Sequence, residues 1–484
     1  MSRAIALLCC LLFAVASWSQ DAFVVKNIKS DFGALGDGRS NDHQAFSDAC
    51  RFFNERKGNG RLIIPAGTYL VGRQMDYGAL VPLSYRFLCD DAYQNPYYKL
   101  GIPVIYLSGC SNIEIVGADT GGRTIIRFAD SLLLGSFERG KPMPEGVVPP
   151  AGKVALIGDA VYMERCSGVR IRHLELDGNL PAHIIGGPVT ADGLQAGQSG
   201  IALVDVTGAD LEFLEVSRFA VDGLQVRNTT AATMEQVQSQ NINLVQCDFL
   251  YNGRQGFSWT GGAGLTAREC SFSKTGRAIN RSLGKPLSTA PGAGLDIEPE
   301  SDPHIGAYRL VKDAEFSNCR FEDNAGVGMI ADLYDAREYR AAQDVRFNNC
   351  IFRGTTFWSI WVTHPGFRFS GCRIAGAVVH SYSGNMKGME TTFTKCHFED
   401  DKPGLYGEYL VEIADGKRTT FDSCVFTARR KKFYYLVSSD PKNAKFLLRN
   451  CTFINASGSA RAKECIAEGV EFSGRRDIDR PGAR

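Results

Sequence analysis

The sequence predicts an all-β solenoid: a single-stranded right-handed parallel β-helix closed at its N-terminus by a capping helix. Three observations carry this. First, a cysteine is followed two residues later by a bulky apolar residue eight times: Cys247/Phe249, Cys270/Phe272, Cys319/Phe321, Cys350/Phe352, Cys372/Ile374, Cys396/Phe398, Cys424/Phe426 and Cys451/Phe453. Self-similarity at a period of about 20 to 50 residues marks a solenoid or propeller, and this unit is too short for a four-stranded blade. Second, the units are short, β-rich and alternating, as in Asp344-Val-Arg-Phe-Asn-Asn-Cys350. A coil of this kind cannot bury its apolar face alone and must stack on its neighbours. Third, an amphipathic helix precedes the first strand, where an open solenoid end would expose its core to water. Right-handedness follows the rule for parallel crossover connections.

The elements fall in order along the chain. Residues 1–20 read as an export signal. Arg3 supplies the positive start, Ala4 to Ala16 form an uncharged apolar run, and Ser17 and Ser19 offer a cleavage site. That run is too short to span a bilayer, and no later stretch is long and apolar enough. Residues 21–72 form the cap module. In it, Asp31-Phe-Gly-Ala-Leu-Gly-Asp-Gly38 leads into a helix expected from about Asp42 to Asn54, with Ser40 or Asn41 at its N-cap and Asp42 in its first turn. Ala45, Phe46, Ala49, Cys50, Phe52 and Phe53 share one face of it. Arg61 to Val71 follows as a strand. Residues 73–456 are the stacked coils, with loop insertions at Gln74–Gly101, Asn179–Ser199 and Lys274–Gly292. Residues 457–484 read as a loosely ordered tail.

The 15 cysteines include Cys9 and Cys10 in the signal, which leaves an odd number. Equivalent positions in adjacent coils lie roughly 4.8 Å apart, so a file of buried thiols acting as small hydrophobes is expected rather than a disulfide framework. The formal net charge is +1. That balance argues against nucleic-acid binding and against a basic membrane surface. No zinc spacing, nucleophile elbow or phosphate-cradling glycine loop is present.

The N-terminal order of elements resembles that of the pectate lyase superfamily of right-handed β-helix proteins, in its rhamnogalacturonase- and epimerase-like branch. The matching residues are Asp31 to Gly38, Asn41-Asp42 and Pro65-Ala-Gly-Thr-Tyr69. The resemblance implies an extracellular or periplasmic protein that cuts or modifies polysaccharides. The motif itself is structural, with glycines making turns and aspartates capping them, so it speaks to fold more than to reaction. The Asn-Thr-Asp, Asp-Asp, Gly-His-Gly and Arg-Ile-Lys series of the polygalacturonases is missing.

Superimposing the coils aligns the strands that begin at Gly223, Gly256, Gly294, Gly328 and Ser359. Alternation sends their second and fourth residues inward and the third and fifth outward. Asp296 and Glu298 then share one outward face, with Asp332 one coil away. Such carboxylates can divide the acid and base roles of glycoside hydrolysis. They can equally hold calcium in a lyase, where Arg254 or His304 would abstract the C5 proton; no cofactor is expected otherwise. Arg227, Gln225 and the outward Trp361 are candidate substrate contacts. Asp302-Pro-His304 resembles part of the alginate C5-epimerase motif. The same residues also fit an ordinary solvated sheet face. The expected function is therefore an exported enzyme cleaving a uronic-acid-containing polysaccharide by hydrolysis or β-elimination. The alternatives are a non-catalytic glycan-binding or surface β-helix and, third, a polysaccharide C5-epimerase. A polysaccharide is the expected partner, and no sequence feature sets an oligomeric state.

Overall fold

The computed structural model describes residues 22–76, 99–138, 141–144, 154–187, 197–229, 233, 236, 238–302, 307–331, 342–363, 366–381, 391–400, 409–414, 419–427, 434–438, 445–454, 464–468 and 471–473. Residues 1–20, expected to be an export signal, and the aromatic-rich part of the loop after Gln74 lie outside them.

The chain winds as a right-handed parallel β-helix of three faces. The front face is an 11-stranded parallel sheet running from Ile105–Ser108 to Tyr434–Ser438. The other two faces are files of one 26-stranded sheet, joined where Ser167–Asp177 and Thr207–Ser217 run through both. Each turn of the helix visits the front face, then the first back file, then the second. The register of the front strands follows the sequence alignment: Leu224, Phe257, Leu295, Met329 and Ile360 stand side by side, as do Val226, Trp259, Ile297, Ala331 and Val362. All ten are buried, as inward alternation requires.

The cysteine file lines the corner between the two back files. Each member follows a left-handed residue, from Gln246 (φ 50°) to Asn450 (φ 50°). All eight cysteines of the repeat are buried and none is paired. Each thiol donates to a backbone carbonyl, as Cys247 Sγ does to Leu211 O at 3.2 Å and Cys350 Sγ to Phe316 O at 3.3 Å. Burial pushes thiols such as Cys350 upward, which keeps them uncharged. Cys110 and Cys166 open a shorter second file at the corner after the front face. Two phenylalanine columns fill the interior beside the thiols. Phe272–Phe321–Phe352 stack at 5.3 and 4.7 Å, and Phe316–Phe347–Phe369–Phe393 at 4.9, 4.9 and 4.7 Å. Parallel strands a single hydrogen-bond spacing apart bring identical rings within stacking distance.

Helix α1 spans His43–Glu55 and buries His43, Ala45, Phe46, Ala49, Cys50 and Phe53. It caps the first front strand. Asn54 Nδ2 donates to Tyr106 O at 2.9 Å and its Oδ1 accepts from Ser108 N at 2.9 Å, so one side-chain amide replaces a missing strand. The capping expectation is corrected: Asp42 itself is the N-cap, and its side chain does not cap the helix. Its carboxylate turns back to accept from Leu35 N and Gly36 N at 2.7 and 2.9 Å, fixing the glycine-rich turn, while Asn41 Oδ1 takes His43 N at 3.0 Å. Gly36 is needed there because a Cβ would lie 2.8 Å from the Tyr69 ring. The helix of stacked strands also reaches past residue 456. Glu464–Glu468 and Glu471–Ser473 continue both back files.

Candidate functional site

The front face carries the candidate site on its outer side. Gly223, Gly256 and Gly294 reset the alternation there. A Cβ on Gly223 would meet Asn252 Nδ2 at 2.5 Å and Phe249 Cδ1 at 3.0 Å, so the glycine faces inward next to an inward leucine. Two successive inward positions break the alternation at the start of each strand, while the register with the neighbouring strands stays unbroken. The residue before each glycine is thereby turned outward, which places Asp222 and Gln255 in the site. Strict alternation assigns neither of them to it.

Asp222 is fully buried and accepts from Arg254, from Nε at 2.9 Å and Nη2 at 2.5 Å. Gln225 Nε2 donates to Asp222 Oδ2 at 2.6 Å and to Ser199 Oγ at 3.0 Å. One strand further on, Gln255 Nε2 donates to Asp296 Oδ2. Asp296 stands in register with Ser258 on one side and Ile330 on the other. Glu298, two residues along, is half-buried, and its N–H holds Trp259 O at 3.1 Å. Arg254 lies in the field of Asp296 and Glu298 as well. Burial opposes its charge, but Asp222 and then these two carboxylates outweigh burial and raise the guanidinium's pKa.

One expectation changes. The outward residues do not simply face solvent: Asp296 is 3% exposed, Ser258 5%, Thr260 4% and Ile330 4%. Loops rise beside the strands, so these outward positions are buried, while Gln225, Arg227, Glu298 and Trp361 stay half-buried. Arg254 pairs bidentately with Asp222 and lies in the electrostatic field of Asp296 and Glu298. Asp332 and His304 lie outside the described residues. Trp361 is half-buried at the far end of the row, with its ring 4.5 Å from that of Trp358. Arg227 is half-buried near Asp159 and Tyr162. Burial raises the Asp159 carboxyl to about 6, against the opposing pull of the Ser199 N–H and Arg227. Among the described residues, no group of three His, Cys, Asp or Glu side chains is arranged to hold a metal ion.

The insertion before the carboxylate strand runs as a strap along the helix axis. Asn280 Nδ2 donates to Leu180 O and His183 O at 2.7 and 2.9 Å, and Ser282 Oγ accepts from Ile185 N at 3.0 Å. In the other direction Arg277 reaches Asn324 O and Thr356 Oγ1. The strap walls the front face and fixes the entry of Ala293–Ile297, with Ala293 N bonded to Arg254 O at 3.1 Å.

These features define the class: a right-handed parallel β-helix with a polar, walled front sheet. No protein-family model matches the chain, and no curated protein matches it. Among solved structures it is similar to the pre-mature bacteriophage phi29 gene product 12, with a TM-score of 0.53 at 14% identity over 93% of this chain and 56% of that one. It is similar to the N-terminal fragment of the same phage protein, with a TM-score of 0.52 at 14% identity over 97% and 74%. The A-module of the Azotobacter vinelandii mannuronan C-5 epimerase AlgE4 aligns over 95% of this chain and 99% of that one, at 14% identity and a TM-score of 0.49. The phage likenesses establish fold alone, and the expected right-handed parallel β-helix holds.

Proposed function

We propose that the protein is an exported enzyme that cleaves an acidic polysaccharide at its front face, with Asp296 and Glu298 dividing the proton-transfer work of glycoside hydrolysis. The observation that carries this reading is the placement of Asp296, oriented by Gln255 on a rigid strand, with the more accessible Glu298 just past that strand's end. Their Cα atoms are roughly 6.6 Å apart, two strand residues. A general acid and a general base flanking one bond need that kind of fixed placement. Arg227 supplies positive charge for a uronate carboxylate, and Trp361 an aromatic face for a sugar ring further along the row. Carboxylate chemistry is favoured over arginine-based elimination because Arg254 is already committed to Asp222. Asp332 would complete a carboxylate trio, and calcium held by Asp296, Glu298 and Asp332 belongs to the β-elimination form of the reading, as His304 does.

A second reading is a glycan-binding β-helix without catalysis. What favours it is the depth of Asp296 and the commitment of Asp222 to Arg254 and Gln225. A panel of acidic polysaccharides separates the outcomes. New reducing ends alone mean hydrolysis. Reducing ends with the ultraviolet absorbance of unsaturated uronate mean β-elimination, which chelation should then abolish. Binding without either product supports the non-catalytic protein.

A further inference from the structure

The corner between the two back files, remote from the front face, carries a feature that neither cleavage nor stability accounts for. At this corner each coil makes the same turn through one left-handed residue. In eight successive coils that residue is Gln246, Glu269, Asn318, Asn349, Gly371, Lys395, Ser423 and Asn450. Small or polar groups are what an exposed left-handed position tolerates. The two coils before them hold His173 (φ 57°) and Phe213 (φ 56°) instead. Their rings stack at 4.9 Å and 3°, and Phe213 is 45% exposed. The rings form a shelf on a cavity of about 450 Å³, within the range of about 300–1,000 Å³ usual for small-ligand sites.

The other walls are polar. Glu175, Glu215 and Asp248 stand in register on three adjacent strands. Arg123, on the turn from Gly117 to Thr124 that forms the upper wall, bridges Glu175 and Glu215 at 2.5 and 3.0 Å. Gln246 closes the C-terminal side. Burial, and then the charge of Glu215, raises both Glu175 and Asp248.

We propose that this corner is a second, non-catalytic glycan site that takes a pyranose ring without a carboxylate. One apolar face of such a ring packs on Phe213, as sugar C–H groups do on an aromatic face. Its vicinal hydroxyls donate to the Glu215 and Asp248 carboxylates and accept from Arg123 and Gln246. A uronate is repelled, because the carboxylates outnumber the single guanidinium. The site therefore selects a sugar of opposite character to the front face. It does not depend on whether the front face cleaves anything.

Isothermal titration of the whole protein with mannotriose, cellotriose and chitotriose, and with trigalacturonate as the acidic probe, tests this. At least one neutral probe should bind. Phe213→Asn places a favoured left-handed residue at the turn, so it should leave the melting temperature unchanged or higher while weakening that probe at least about tenfold. Glu215→Gln should also weaken it. The proposal is overturned if no neutral probe binds the wild type. It is equally overturned if Phe213→Asn binds as the wild type does, or if trigalacturonate is the probe whose binding that substitution removes.

Discussion

The side chains of the core and of the candidate site are governed by burial on opposite sides of the same strands. Phe321 is fully buried and stacked between Phe272 and Phe352 at 5.3 and 4.7 Å. Phe321→Ala should cost about 3–5 kcal/mol, because the rigid coils above and below cannot close the cavity; a chemical-denaturation midpoint moves accordingly. Burial also sets an acid limit. Desolvation lowers His43 and His183 to about 4 in the fold, against about 6.5 in an unfolded chain. Between those values the unfolded chain takes up protons that the fold refuses. Stability from these two groups is therefore whole above pH 6.5 and is lost as pH falls towards 4. Asp159, raised to about 6, works in the opposite sense: the fold keeps a proton that the unfolded chain releases, so its contribution falls as pH rises from about 4 to 6. Denaturation across pH 4–7 should show net acid loss, and His183→Gln should flatten it. An unchanged slope in that variant would assign the acid loss to other groups.

The strands were legible because period-two alternation and the cysteine spacing both report on the same core. The inward apolar side chains Leu224, Val226, Phe257, Trp259, Leu295 and Ile297 follow it. What alternation hid is the inward glycine in each of these strands, which turns Asp222 and Gln255 outward and so supplies the partners of Arg254 and Asp296. A run such as Asp222-Gly-Leu-Gln carries that signal only once the packing behind the glycine is known. Burial of the outer face was hidden for a related reason. It depends on loops contributed by coils distant in sequence, as the strap from Lys274 to Gly292 illustrates. The strap was legible as an insertion, whereas its contacts about 100 residues back, at Leu180 and His183, were not. Asn280→Ala removes both of those hydrogen bonds and leaves two buried carbonyls without them, a loss of about 1–3 kcal/mol confined to the strap. Hydrogen exchange should accelerate in the strap and at Leu180–Ile185 while the back files stay protected; uniform acceleration would mean that the strap is integral to the core.

The molecule as a whole is a stack in which every coil buries its neighbour, so its stability is a sum of local interfaces. The thiol files follow from that design: they are packing, held uncharged by burial. A thiol reagent should leave the repeat cysteines of the native protein unmodified and titrate them once denaturant unfolds it, whereas ready reaction in the native state would contradict the stacking. Composition, repeat and cap sufficed to place the chain in its fold. The reaction was less legible because this fold fixes a face and leaves the chemistry to the few side chains placed on it. Turnover of Asp296→Asn on an acidic polysaccharide that the wild type cleaves decides whether Asp296 and Glu298 act together on that face. With Glu298→Gln beside it and the exposed Glu269→Gln as control, each site variant should lose at least about a hundredfold in kcat with an unchanged melting temperature. Full activity in both site variants would contradict that joint action and move the chemistry off this strand.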